Sequence, residues 1–487
     1  MPDAPATVDL LAHGNLPARW LAHWAQRPEA PTLQGPDGRW LSAAELEQAS
    51  RRAAERLLAT GLAPGQRLLV VAESSVAFVF AYLGALRAGL TVVPVNPAYP
   101  RPEVTRVVQA AKPAAALVDS DERAAWVREA AGGTLPAYDL ALEAVQAGAR
   151  AAAPALDRAA AQDVALLIYT SGTTGRPKGV PLSHANLLAG ATAVALAWRW
   201  EPADRLILAL PLFHVHGLGV GLNGSLCAGA AVQLRPGFDA ADVAEHAGGG
   251  ATLFFGVPAM YQRLARAGLA GELRALRLIV SGSAPLPAAL AGEIATAAGQ
   301  MPLERYGMSE TLMLAGNPYE GERRPGTVGF PFPGVELRID GAGEVQVRGP
   351  NVIAGYLDAP QATAESFTGD GWFRTGDIGE FDSDGYLRLV GRSKELIISG
   401  GYNVYPREVE EALATHPGVR EVAVVGRPSE RWGEEVTAVV VAEGEVDADA
   451  LRRHAAELLA PYKVPRRVEF ASELPRNALG KVVRGRL

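Results

Sequence analysis

Thr170-Ser171-Gly172-Thr173-Thr174-Gly175-Arg176-Pro177-Lys178-Gly179 decides how the rest of the chain reads. It follows an apolar run, Val164 to Tyr169, with the character of a buried strand. It precedes Ser183-His184-Ala185-Asn186, where Ser183 stands as the N-cap of a helix. Strand, Gly-rich loop and helix together form a layout that holds phosphate. Glycines let backbone N–H groups approach an anion, while hydroxyls and the Lys178 ammonium supply further donors. The spacing of a Walker A loop is absent. The plainer alternative is a flexible Gly/Ser/Thr surface loop, and the density of glycine, hydroxyl and lysine argues against it.

Outward from this loop the chain alternates strand-like and helix-like segments. Arg67 to Ala72, Thr91 to Val95 and Ala114 to Val118 read as strands, and Val76 to Ala88 and Glu103 to Ala111 as helices. Downstream, Arg205 to Leu210, Ala251 to Phe255 and Leu276 to Val280 each run into small or special residues. In open α/β sheets ligands sit beyond the carboxyl ends of strands. From about Gly326 short strands joined by Asp340-Gly341-Ala342-Gly343 suggest a small β-rich lobe. Gly391-Arg392-Ser393-Lys394 then opens a last segment with the look of a small α+β domain. The expected fold is α/β: a large N-terminal domain of open α/β sheets with a β lobe over residues 1–390, then a small α+β domain over 391–487.

With 487 residues the chain is too long for one ordinary domain. Its net charge of −7 argues against a general nucleic-acid or anionic-membrane binder. A single cysteine, Cys227, excludes an intrachain disulfide and fits a reducing compartment. Cys227 lies in an apolar, Gly-rich segment and reads as core rather than nucleophile. The N-terminus lacks the basic and apolar regions of a signal peptide, and no apolar run approaches a membrane span. A cytoplasmic protein without membrane insertion or an obligate protein partner is expected.

Three further motifs carry chemistry. Leu303-Glu304-Arg305-Tyr306-Gly307-Met308-Ser309-Glu310-Thr311 offers an aromatic face for a purine, and Glu310 is a hard oxygen ligand suited to Mg²⁺. Taken alone, a strand-to-loop turn also explains it. Trp372-Phe373-Arg374-Thr375-Gly376-Asp377 places an aspartate at a strand end, where it can accept both hydroxyls of a ribose or merely close a turn. Lys481, in Leu479-Gly480-Lys481, would otherwise be one more tail lysine.

Together these motifs resemble those of the adenylate-forming superfamily of acyl-CoA synthetases, in the family's order, from about Leu41 to the end. The resemblance implies that Thr170, Ser171, Gly172, Thr173, Thr174, Gly175 and Lys178 cradle the phosphates of ATP. It puts Gly282, Ser283, Ala284 and Pro285 with Tyr306, Gly307, Met308 and Ser309 on the adenine side, and Asp377 and Arg392 at the ribose. Thr173 and Glu310 would hold Mg²⁺, and Lys481 would stabilise charge developing at the α-phosphate. Lys394 falls at the hinge of a mobile C-terminal domain, and Gly400, Gly401 and Tyr402 resemble the segment lining the tunnel for the CoA thiol. The reaction implied is carboxylate plus ATP to acyl-AMP, then acyl transfer to CoA.

The acid is harder to read. Pro211-Leu212-Phe213-His214-Val215-His216, Phe255-Gly256-Val257-Pro258-Ala259-Met260-Tyr261-Gln262-Arg263 and the Glu304-to-Met313 stretch resemble the malonyl-CoA synthetase branch. A dicarboxylate leaves one carboxylate buried, which demands a partner, and a guanidinium suits it. Arg263 and Arg305 are the candidates, with His214 nearby. Arg263 could instead be a solvated helix arginine, and Arg305 could brace the Tyr306 loop. His214 and His216 could form a metal pair on a strand, but no third ligand has convincing spacing. Malonate, and with it methylmalonate, is the expected substrate. Short or medium fatty acids, aromatic acids, or transfer to a carrier-protein thiol are the alternatives.

Overall fold

A computed structural model describes residues 10, 14–143, 145, 155–170, 177–477 and 481–487. The loop residues Ser171, Gly172, Thr173, Thr174, Gly175 and Arg176 thus lie outside the described residues, as do 478–480.

Two sheets and three helical layers build the large domain. The first sheet runs Ala137–Asp139, Ala115–Val118, Arg67–Val71, Thr91–Val95, Val164–Thr170, Lys178–Ser183. All its pairings are parallel except the last. Consecutive apolar residues in one strand serve opposite faces. Leu68 and Val70 join the core between the sheets, while Leu69 and Val71 pack under the helices Arg101–Ala111 and Asp121–Ala130. This two-sided burial is why the strands read as continuous apolar runs.

The second sheet has nine strands. Its parallel centre is Ala231–Leu234, Arg205–Leu208, Leu253–Gly256, Leu278–Ser281 and Leu303–Met308. Helices Val76–Arg87 and His184–Ala197 are apolar nearly all round because they lie in the core shared by both sheets. Ser183 caps the second of these through a capping box with Asn186.

A four-stranded antiparallel sheet, Glu336–Ile339 to Leu387–Arg392, forms the β lobe. The last sheet contains Tyr402–Val404, Ile397–Ser399, Gly433–Ala442, Val419–Ser429 and Arg467–Phe470. With the helices Pro406–Leu413 and Ala448–Leu458 it buries a core of its own, including Val409, Val424, Val440 and Leu451. Among the described residues no helix is long and apolar enough to cross a membrane.

Two local expectations change. The phosphate loop does not lead straight into a helix. Lys178–Ser183 is an antiparallel strand, paired with Val164–Thr170 from Thr170↔Lys178 to Val164↔Ser183. Val180 and Leu182 are fully buried, and their alternation with Pro181 is a strand signal masked by the proline. The His214-Val215-His216 stretch is not a strand either: His216–Leu222 is a π-helix. There a Cβ on Gly217 would fall 2.3 Å from the Pro211 carbonyl oxygen, so only glycine fits. Such turns recur at functional sites. Cys227 is buried, and burial pushes its thiol up to about 12, as a core residue requires.

Candidate active site

Strand ends of the second sheet, the β lobe and the C-terminal tail meet in one crevice. Lys481 enters it within electrostatic reach of Arg392, Arg305, Asp377 and Glu310. Burial, then the two arginines, hold its ammonium below the ordinary lysine value of 10.5. Asn477 and Lys481 bond each other twice. Lys481 N donates to Asn477 Oδ1 at 3.0 Å, and Asn477 N donates to the Lys481 carbonyl at 2.9 Å.

Asp377, almost wholly buried, accepts from the Tyr306 hydroxyl and pairs with Arg392 Nε at 2.9 Å. Asp377 and Arg392 face each other in the register of adjacent strands, which brings the two predicted ribose residues together. Gly307 has no alternative. A Cβ there would lie 1.9 Å from the Leu312 carbonyl oxygen, across the turn that presents Met308, Ser309 and Glu310.

Arg305 is the unusual group of the crevice. It is 6% exposed, and among the described residues its buried Nε and Nη2 have no hydrogen-bond partner. Burial pushes the guanidinium down to about 9, so it stays cationic at neutral pH. It lies flat on Gly282, where a Cβ would approach its Nε to 2.3 Å and its Cζ to 2.5 Å. Beside it, Ser283 holds a left-handed φ of 69° and its Oγ meets His216 Nδ1 at 3.1 Å. Strain of this kind collects where a ligand must be met. His216 N in turn donates to His214 Nδ1 at 3.2 Å. Burial, and next Lys481, hold His214 at about 3, so it enters the crevice as a neutral imidazole. Arg392 is paired with Asp377, whereas among the described residues no carboxylate pairs with Arg305.

Gly282→Ala is expected to push this guanidinium out of place. Misplacing a binding group by about 1 Å costs about 10²-fold. The loss is expected to be larger in kcat/KM for the acid than in KM for ATP, and steady-state kinetics with each substrate varied checks it.

Glu310 is 7% exposed. Its Oε1 accepts from the Tyr356 hydroxyl at 3.0 Å, and Lys178 Nζ stands 4.8 Å from the centroid of the Tyr356 ring. Sequence reasoning missed Tyr356. The Gly355-Tyr356 pair ahead of Pro360 offers only a turn signal.

Some predicted residues lie elsewhere. Arg263 is exposed on the helix Pro258–Arg266, and its guanidinium stacks on Phe238, 4.7 Å from the ring centroid. Tyr261 and Leu264 take the buried face of that helix. Arg263 is therefore corrected to a solvated helix arginine. Ala284 is half-buried and Pro285 exposed on the loop after Leu278–Ser281. Lys394 lies in a 3₁₀ turn, Ser393–Glu395, between the β lobe and the last sheet. Gly400 and Gly401, both left-handed in φ, turn the hairpin that exposes Tyr402, which stacks on Tyr462.

An AMP-binding enzyme family model matches residues 20–357, and the AMP-binding enzyme C-terminal domain model matches 408–481. The chain is 37% identical over 487 residues to a feruloyl-CoA synthase of Amycolatopsis, covering 96% of this chain and 97% of that one. It is 34% identical over 471 residues to a malonate–CoA ligase of Arabidopsis thaliana, covering 87% and 77%. Among solved structures, ATP-bound MatB from Rhodopseudomonas palustris superposes with a TM-score of 0.92 at 38% identity, covering 97% and 98%. A malonyl-CoA ligase product complex with methylmalonyl-CoA and AMP gives 0.67 at 40% identity, covering 96% and 100%.

The fold is thus that of an adenylate-forming enzyme. The chain belongs to the AMP-binding enzyme family, as an AMP-forming carboxylate–CoA ligase that uses ATP and CoA.

Proposed function

We propose that the acid is a short carboxylate with a second anionic group, malonate first and methylmalonate next. Arg305, buried and without a partner among the described residues, carries this reading. A buried cation without a counter-ion is costly, and a ligand carboxylate in bidentate contact relieves that cost. An aliphatic or aromatic tail would leave it unrelieved. Relatives named for malonate and for ferulate are about equally similar, so similarity alone does not choose.

In this reading the distal carboxylate pairs with Arg305, with His214 and His216 as neutral neighbours. The other carboxylate attacks the α-phosphorus. The new P–O bond forms as the bond to the β-phosphate oxygen breaks, and pyrophosphate leaves. Lys481 offsets the charge gathering there. Asp377 and Arg392 take the ribose, and Tyr306 and the Gly282–Pro285 segment flank the base. Lys178 and the loop from Thr170 to Gly175 receive the phosphates. Glu310, a buried hard-oxygen donor, fits magnesium, and Thr173 would share it with the phosphates. The ion, when bound, supplies charge neutralisation to the leaving group.

CoA thiol then attacks the acyl carbonyl and AMP departs. Residues 391–487 would turn about Lys394 between the two steps, bringing Gly400, Gly401 and Tyr402 to the thiol path. The better superposition on an ATP complex than on a product complex supports two arrangements of one chain.

The test is ATP- and CoA-dependent AMP formation with malonate, methylmalonate, succinate, acetate, hexanoate and benzoate. Malonate is expected to dominate, with methylmalonate within roughly 10–200-fold, since one methyl group discriminates weakly. Turnover mainly on hexanoate or benzoate would overturn the reading of the acid and leave the ligase intact.

A further inference from the structure

We infer that Tyr356 is a positioning residue that sets Glu310 and Lys178 for the metal–phosphate end of ATP. This rests on the reading that Glu310 holds magnesium. The segment carrying Tyr356 is tied to both halves of the phosphate site. Ile353 N donates to the Glu310 carbonyl at 3.0 Å, and Leu357 N donates to the Gly179 carbonyl at 2.9 Å. Asn351 Nδ2 donates to the carbonyls of Thr311 at 2.6 Å and Met313 at 3.0 Å. Asn186 Nδ2 grips the carbonyls of Pro350 and Val352 at 2.8 and 3.0 Å. Tyr356 N itself donates to Thr363 Oγ1 at 2.9 Å. Gly355 permits that contact, because a Cβ there would lie 2.6 Å from Thr363 Cγ2.

A ring anchored at these points has little freedom, and its two faces of chemistry are both used. The hydroxyl donates to Glu310 Oε1 at 3.0 Å and fixes the carboxylate while leaving its second oxygen for a cation. The ring face carries the Lys178 ammonium at 4.8 Å. Tyr356 thereby couples the strand after the phosphate loop to the acidic turn on the neighbouring sheet. Partners that orient a metal ligand typically matter by 10–100-fold in metal affinity.

Two substitutions separate the functions. Tyr356→Phe keeps the ring and removes the hydroxyl; Tyr356→Leu removes both. The probe is Mn²⁺, titrated by electron paramagnetic resonance into the full-length protein with a non-hydrolysable ATP analogue. Tyr356→Phe is expected to weaken Mn²⁺ binding about tenfold or more. KM for the acid and thermal midpoint should stay near native values, which a merely structural role would not produce. Tyr356→Leu is expected to weaken nucleotide binding as well, even at saturating metal. Glu310→Gln is the control, and adding Tyr356→Phe to it should cost nothing further. Native-like Mn²⁺ binding in Tyr356→Phe, with binding lost in Glu310→Gln, would overturn the inference alone. Intact Mn²⁺ binding in Glu310→Gln would overturn the reading of Glu310 and the inference with it.

Discussion

Lys481→Ala slows carboxylate-dependent pyrophosphate release by roughly 10²–10³-fold, about 3–4 kcal/mol at the barrier, the range for one preorganised electrostatic group. The side chain enters a crevice that already holds Arg305 and Arg392, and its backbone is bonded to Asn477. The same substitution should leave thioester formation from supplied acyl-adenylate far less affected, because the charge it offsets belongs to the first step. The pH profile carries a second signature. Lys481 is held below 10.5, so its proton is lost at lower pH than from a free lysine. Protonation is the active form, and the adenylation rate therefore falls on an alkaline limb that begins below 10.5. Lys481→Arg holds its charge to higher pH, and this limb should move upward in its slower profile. Single-turnover pyrophosphate release from pH 6 upward measures both effects.

Arg305→Met is the other large effect. Removing one partner of a buried charge pair costs roughly 2–5 kcal/mol, so kcat/KM for malonate should fall by about 30- to 4,000-fold. Stability should move the opposite way. Among the described residues Arg305 is buried without an ion-pair partner, so a methionine of similar shape is expected to leave the thermal midpoint unchanged or raised. Activity on propionate, which offers a methyl group where malonate offers a carboxylate, should hold or improve. A structural brace would instead lower the midpoint and both activities together. Differential scanning calorimetry beside steady-state kinetics separates these results.

The strands and helices of the large domain were legible because two-sided burial writes continuous apolar runs and capping residues mark the helices, as at Ser183. Motif order likewise pointed to Asp377, Arg392 and Lys481, which the chain brings together from separate elements. What failed was local. Pro181 hid the strand Lys178–Ser183 within an alternating pattern, which the loop-to-helix reading passed over. Arg263 and Arg305 looked alike as residues following ligand-side motifs. Helical phase distinguishes them, because Tyr261 and Leu264 claim the buried face and turn Arg263 to solvent. Gly282, expected on the adenine side, has a second role that was not read, since its missing Cβ makes room for Arg305. That contact spans separate strands and leaves no local sequence signal. Tyr356 is the same case, since its meaning lies in what it touches on two sheets.

The most direct measurement is a crystal structure with malonate and a non-hydrolysable ATP analogue. The distal carboxylate should lie about 2.7–2.9 Å from Nε and Nη2 of Arg305, above Gly282, with the other carboxylate turned toward the α-phosphate and Lys481. A distal carboxylate facing solvent, with Arg305 still unpartnered, would contradict the reading of this enzyme as a ligase for dianionic acids.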